Sequence, residues 1–393
     1  MEAVKNNSQS SAVGIYDRFD LDTWLRPLWK GSVVHNETVM FLGEDDRAPL
    51  LYTPDRIISV RSYELDIEYV EGVDYKLEGG KLALVEGTRI PVCPTSTYYP
   101  EKGQFNILRD GEIVPALYGE GTTMTRWHLA VTYEHSGKWE GIDVPSYADR
   151  FASFIAKLEA GEDVTVFFYG DSITFGANAS NTAAPYTPLW AMQFCMYAAK
   201  KYGYTVKYIT GDREDTVYGT RGTITYINTA VGGWTTEAAI QNFGTHVKPY
   251  IEEHGCDFLV LALGMNNVTS EASHFCALLE RLAKMFLTIT PRADVVLVST
   301  MIPNPHLAKK TPNEWCANGT QAAFEAVMLP LAEKFNAAGT NCAVCPMTSV
   351  SQYIHSRKRY RDTSGNNVNH PNDFVVRAYA HALCQTVFGY DEE

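Results

Sequence analysis

From residue 164 onward, short apolar runs alternate with stretches of helical spacing, and no other feature limits the possible folds so strongly. The runs are Val164–Tyr169, Thr223–Asn228, Phe258–Leu263, Val295–Thr300 and Ala343–Met347. They are continuous and β-branched or aromatic, the pattern of strands buried on both faces. Between and after them lie Leu189–Lys201, Thr236–Gln241, Ser270–Leu287, Thr320–Asn336 and Asp373–Val387, which carry apolar residues at helical spacing. Such alternation predicts a doubly wound parallel five-stranded sheet with helices on both faces. Right-handed crossovers then bring the carboxyl ends of all the strands to one rim, where open α/β sheets bind ligands.

The chain before residue 145 reads differently. Val33–Leu42, Ile57–Ser62, a hairpin over Asp74–Val85 turning at Gly79-Gly80, and Trp127–Tyr133 are strand-like and separated by turn residues at short intervals. This spacing suggests a small all-β sandwich, jelly-roll-like, over residues 1–145, followed by an α/β domain over residues 146–393. Tyr147–Ala160 opens the second domain as a helix that Gly161 can end. No Gly/Ser/Pro-rich tether separates the two, so they are expected to pack together.

The formal charge of −13 and the lack of a basic stripe argue against a nucleic-acid partner. Met1–Gly14 is polar and lacks the basic start and apolar core of a secretory signal, and no apolar run reaches transmembrane length. The expectation is a cytoplasmic protein with no membrane partner. The eight cysteines are dispersed; Cys342 and Cys345 have C-x-x-C spacing but lie in a strand-like run with no second pair, so structural thiols are expected, with no metal and no cofactor.

Three strand ends and one late loop carry residues suited to chemistry. The first strand ends in Gly170-Asp171-Ser172, the second in Asn228-Thr-Ala-Val-Gly-Gly-Trp-Thr-Thr236, the third in Gly264-Met265-Asn266-Asn267. His370 lies in Asn366-Asn-Val-Asn-His-Pro-Asn-Asp373, just before the last helix. A serine hydroxyl needs an imidazole to take its proton, and the tetrahedral oxyanion needs preorganised donors. Glycine N–H groups and an asparagine amide are donors of that kind.

With these residues in this order, the segment from about Val164 to Val387 resembles the SGNH (GDSL-type) hydrolases. The resemblance implies Ser172 as nucleophile, His370 as base, and an oxyanion hole from Ser172, Gly233 and Asn266. It also implies a flavodoxin-like sheet of order 2-1-3-4-5. The motif is not the G-x-S-x-G elbow, since position five of Gly170-Asp-Ser-Ile-Thr174 is Thr. Two positions depart from the family pattern. Asn367 stands where the triad Asp is usual, three residues before His370, and Asn267 stands where block three continues with Asp. Asn367 is one candidate to orient His370 through its carbonyl, beside Asp362, Asp373 and a backbone carbonyl, and a Ser172–His370 dyad oriented by backbone is expected. The β-rich region ahead of the hydrolase domain is similar to that of certain carbohydrate esterases.

Trp234, Tyr186 and Trp190 lie near the site in sequence and are expected to stack on substrate. The function expected is a serine esterase that releases acetyl groups from oligosaccharides. The alternatives are a short-chain lipase or thioesterase, or, in another class, a non-catalytic carbohydrate-binding protein. The oligomeric state is not set by the sequence.

Overall fold

The computed structural model describes residues 20–43, 47–211, 213–308 and 319–390; Met1–Gly14 and Cys316 lie outside the described residues. Ten strands precede residue 145: β1 Val33–Leu42, β2 Arg47–Ala48, β3 Arg56–Ser62, β4 Glu68–Tyr69, β5 Tyr75–Glu78, β6 Lys81–Leu84, β7 Val92–Cys93, β8 Phe105–Arg109, β9 Glu112–Ala116 and β10 His128–Glu134. They form a five-stranded sheet of order β4-β3-β10-β1-β7, a small sheet β2-β6-β5 and the ribbon β8-β9. Tyr75 and Leu82 of the small sheet share a core with Val60, Leu129 and Val131 of the large one, which gives the layered all-β region expected. The β5-β6 hairpin turns where Gly79 and Gly80 both have positive φ, so that Glu78 pairs with Lys81.

Seven more strands follow: β11 Val164–Gly170, β12 Thr205–Tyr208, β13 Thr216–Val217, β14 Thr223–Asn228, β15 Phe258–Ala262, β16 Asp294–Val298 and β17 Cys342–Cys345. Their order is β13-β12-β14-β11-β15-β16-β17. The five strands expected from the sequence are the run β14-β11-β15-β16-β17, all parallel, in the 2-1-3-4-5 order. The sheet is two strands wider than expected: β12 pairs parallel with β14, and β13 antiparallel with β12.

β11 is buried along its whole length. Its side chains alternate between two cores, as a period of two requires. Val164, Val166 and Phe168 pack with helices Trp190–Tyr202 and Asp373–Phe388. Phe167 and Tyr169 pack on the other face with Ala272–Ile289 and Phe324–Ala337.

The first of these cores also runs into the β region. All residues of the last helix, Asp373–Phe388, are buried except Gln385, because the sheet covers one side and the N-terminal region another. Arg377 donates to the carbonyls of His35 (2.7 Å) and Asn36 (2.8 Å). β1 grips the segment just before this helix: Glu37 forms an ion pair with Lys358, both fully buried. Thr38 Oγ1 donates to Asp362 O (2.6 Å), and Met40 N–H to Asp362 Oδ1 (2.9 Å). The segment so held, 358–373, carries His370. Cys342 and Cys345 are buried unpaired thiols in β17. Among the described residues no helix is long and apolar enough to cross a membrane.

Candidate active site

The chain leaves β11 at Gly170, where a side chain has no room: a Cβ would stand 2.3 Å from Thr174 Oγ1 and 2.4 Å from Ala262 O. Asp171 then caps the short helix Ser172–Phe175, accepting from Ile173 N–H (3.1 Å). Its other oxygen accepts from Met265 N–H (3.2 Å), which ties the nucleophile loop to the loop after β15. Burial pushes the Asp171 carboxyl up to about 6, against the pull of these N–H donors. The cap places Ser172 at the strand end with its Oγ 2.9 Å from His370 Nε2.

His370 is fixed by a loop that bonds to itself. Asn366 Oδ1 accepts from the N–H groups of Val368, Asn369 and His370, each at 3.0 Å. The His370 carbonyl accepts from Ser364 Oγ (3.0 Å) and Gly365 N–H (2.9 Å). On the far side of the ring, Nδ1 faces two acceptors: Asn178 Oδ1 at 2.7 Å and Glu120 Oε2 at 3.2 Å. The Asn178 amide is oriented by its nitrogen, which donates to Gly365 O (3.3 Å) and Gly121 O (3.4 Å). Gly365 permits this approach, since a Cβ there would lie 2.4 Å from Asn178 Cβ. With acceptors on Nδ1, that nitrogen holds the proton and Nε2 presents its lone pair to Ser172. Such an arrangement can take the serine proton during attack on an acyl carbon.

The structure corrects the candidate role of Asn367. Asn367 has φ +68°, and its amide turns away from the imidazole. Its Oδ1 accepts from Tyr98 OH (3.0 Å) and its Nδ2 donates to Leu117 O (2.9 Å). Asn367 therefore ties the histidine loop to the β region and makes no bond to His370. The sequence alternatives are engaged elsewhere. Asp362 accepts from Arg359 Nε (2.8 Å) and Nη2 (2.9 Å), and Asp373 accepts from Ser180 N–H (3.0 Å) and Thr187 Oγ1 (3.2 Å). Glu120 and Asn178, the groups that do reach Nδ1, lie 250 and 192 residues from His370 in the chain, and no motif marks either.

Among the described residues, the N–H groups of Ser172 and Gly233 donate to no protein acceptor. Gly233 has φ +77° in an exposed turn, open on the side where a Cβ would be. Asn266 Nδ2 uses one hydrogen on Trp234 O (3.0 Å) and keeps the second. Asn267 is engaged instead: its Oδ1 accepts from Thr236 N–H (3.1 Å) and Oγ1 (3.0 Å), which anchors the start of the helix Thr236–Gln241.

A cavity of about 510 Å³ lies next to the site, lined by neither Ser172 nor His370. It meets the site at Asn178 and at Gly176, whose N–H donates to Ser172 O. Asn181, Thr182, Thr210, Asn228, Tyr63 and Phe175 also line it; Phe175 is 61% exposed. The expected aromatic residues are not on this lining. Trp190 is core: its ring is buried edge-on to Phe168, and its Nε1–H donates to Ile173 O (3.2 Å). Trp234 is half-buried against Tyr169 and His246. Tyr186 is half-buried with φ +60°. Phe175, three residues past the serine, was in plain view in the sequence, but its exposure was not.

A model of the GDSL-like Lipase/Acylhydrolase family matches residues 168–375. No curated protein matches the chain. Solved structures of similar fold include a two-domain esterase active on acetylated mannans, co-crystallised with mannopentaose (19% identity, 62% of this chain and 54% of that one, TM-score 0.43). An acetyl xylan esterase is similar over 56% of this chain and 98% of its own (16% identity, TM-score 0.37). A lipase/acylhydrolase from Enterococcus faecalis is similar over 56% and 94% (15% identity, TM-score 0.36). The chain spans about half the length of the two-domain esterase. The family match takes in more than half of the chain, including Ser172, Gly233, Asn266 and His370, and the chain belongs to the GDSL-like lipase/acylhydrolase family of carboxylic ester hydrolases.

Proposed function

We propose that this protein is a serine esterase that removes acetyl groups from oligosaccharides, with Ser172 as nucleophile and His370 as base. The observation that carries the reading is the 2.9 Å contact between Ser172 Oγ and His370 Nε2. In the first step Oγ bonds to the acetyl carbonyl carbon, its proton passes to Nε2, and the carbonyl electrons move onto oxygen. The N–H groups of Ser172 and Gly233 and the second amide hydrogen of Asn266 receive that charge. Collapse expels the sugar oxygen, which takes the proton from Nε2. Water then repeats the sequence on the acetyl-enzyme and frees Ser172.

The leaving group is read from the cavity. Its volume lies within the usual range for small-molecule sites, roughly 300–1,000 Å³. The Asn181 amide and the Thr182 and Thr210 hydroxyls suit a hydroxylated ligand, and the exposed Phe175 ring offers a face for a sugar. In this reading the nucleophile, the base and the oxyanion donors lie within residues 146–393, and residues 1–145 belong to a second unit that lines one side of the cavity through Tyr63 and the turn at Gly121. The test is acetate release from a panel of acetylated xylo-, manno- and gluco-oligosaccharides. Release from at least one member, abolished in Ser172→Ala, is expected. Turnover of simple acetyl esters with none of the panel would overturn the carbohydrate assignment and leave the esterase.

A further inference from the structure

Glu120 belongs to the β region, in the turn between β9 and β10, yet its carboxylate reaches the imidazole of the hydrolase rim. It is held there. Its Oε1 accepts from Tyr118 OH (3.0 Å) and from Asn366 Nδ2 (3.3 Å), and Oε2 faces His370 Nδ1. Asn366 is the same residue whose Oδ1 shapes the histidine loop, so one side chain sets both partners. Burial pushes the Glu120 carboxyl up, but the bond and charge of His370, with the Asn366 and Tyr118 donors, hold it below the usual glutamate value.

Nδ1 has one proton and two acceptors, and the two acceptors differ in charge. Asn178 is closer and neutral, so it can fix the tautomer. When Nε2 takes the Ser172 proton the ring becomes a cation, and a neutral amide opposes that charge weakly. We infer that Glu120 is the carboxylate positioning residue of a Ser172–His370–Glu120 triad, supplied to the hydrolase site by the N-terminal β region. This rests on the acyl-transfer reading of Ser172 and His370. No proton passes to Glu120: the ring keeps its Nδ1–H throughout, and the serine proton goes to Nε2 and then to the leaving oxygen. The β region is thus part of the active site. Asn367 Nδ2, which donates to Leu117 O (2.9 Å), ties the loop that carries His370 to the segment that leads into Glu120.

Glu120→Gln, Glu120→Asp and Asn178→Ala separate the charge from the amide. The Glu120 side chain is 52% exposed, so neutralising it should cost less than the roughly 10⁴-fold seen for a buried triad aspartate. The expected result for Glu120→Gln is a fall in kcat of about 10- to 100-fold, with KM and the melting midpoint unchanged. Glu120→Asp should recover part of the loss. Labelling of Ser172 by a fluorophosphonate, followed by peptide mass spectrometry, should slow in parallel. If wild type is labelled and Glu120→Gln is labelled at the same rate with kcat within about twofold, the Glu120 assignment fails and Asn178 alone orients the base. A wild-type protein that is not labelled at Ser172 overturns the acyl-transfer reading and the triad with it. A drop in melting midpoint and a rise in KM at constant kcat would make Glu120 a structural residue and also overturn the inference.

Discussion

Replacing Lys358 with methionine removes one partner of a charge pair that water does not reach. Glu37 would keep two neutral donors, Leu51 N–H at 2.8 Å and Tyr133 OH at 2.7 Å, and the more distant charge of Arg377, but no directly bonded cation. Both Glu37 and Lys358 side chains are fully buried. Breaking such a pair from one side typically costs about 3–5 kcal/mol, because a buried charge is left uncompensated. Lys358→Met should lower the unfolding free energy by about that amount, read from urea titrations with unchanged slope. Adding Glu37→Gln removes the stranded charge, so the double variant should be more stable than Lys358→Met alone, and the coupling (double minus the sum of the two singles) should reach about 3 kcal/mol, the upper end for contacting residues. A single variant that loses less than about 1 kcal/mol would show that the pair contributes no more than a surface ion pair. A double variant as unstable as the sum of the two singles would show that the charges do not interact. Either result would refute the view that β1 and the histidine segment are joined by a buried electrostatic contact.

Two further outcomes follow from the strand ends. Asn266→Ala should lower kcat by about a hundredfold or more, the usual loss for one oxyanion donor, whereas Asn267→Ala should lower the melting midpoint with a much smaller effect on kcat, since Asn267 holds Thr236; the reverse ranking would place the donor one residue later. Asp171, pushed from 3.8 to about 6, contributes stability that is complete below its unfolded value and is lost as pH rises through about 6. That difference amounts to about 3 kcal/mol, so Asp171→Asn should show a correspondingly smaller fall in unfolding free energy between about pH 4 and pH 7. Equal slopes for wild type and variant would show that the buried carboxyl does not titrate in that range.

The parallel sheet was legible because its central strands are buried on both faces and so read as unbroken apolar runs. β14 and the helix Thr236–Gln241 have the bounds that the sequence suggests. β12 and β13 were not legible: both are short and only partly buried, β13 is the edge strand, and Thr205–Tyr208 has one buried residue. The β8-β9 ribbon carried a usable signal, since Asp110-Gly111 supplies the two positive-φ residues of a tight hairpin. In the site, Ser172 and His370 were legible as strand-end and loop residues whose types fit one reaction. The orienting groups were not, because loop contacts across 192 and 250 residues leave no local pattern. Asn367 occupied the right position in sequence, but its left-handed backbone points its amide at Tyr98. Trp190 could be read either way until its ring was placed against Phe168.

The central claim is that Ser172 carries the acyl group during turnover. The direct measurement is rapid quenching of the enzyme during hydrolysis of an acetyl ester, followed by peptide mapping to locate acetyl on protein. The account predicts acetyl on Ser172, formed and discharged fast enough to support turnover, and absent in Ser172→Ala. Turnover with no acetyl on Ser172, or a Ser172→Ala variant that retains near-normal kcat, would contradict it.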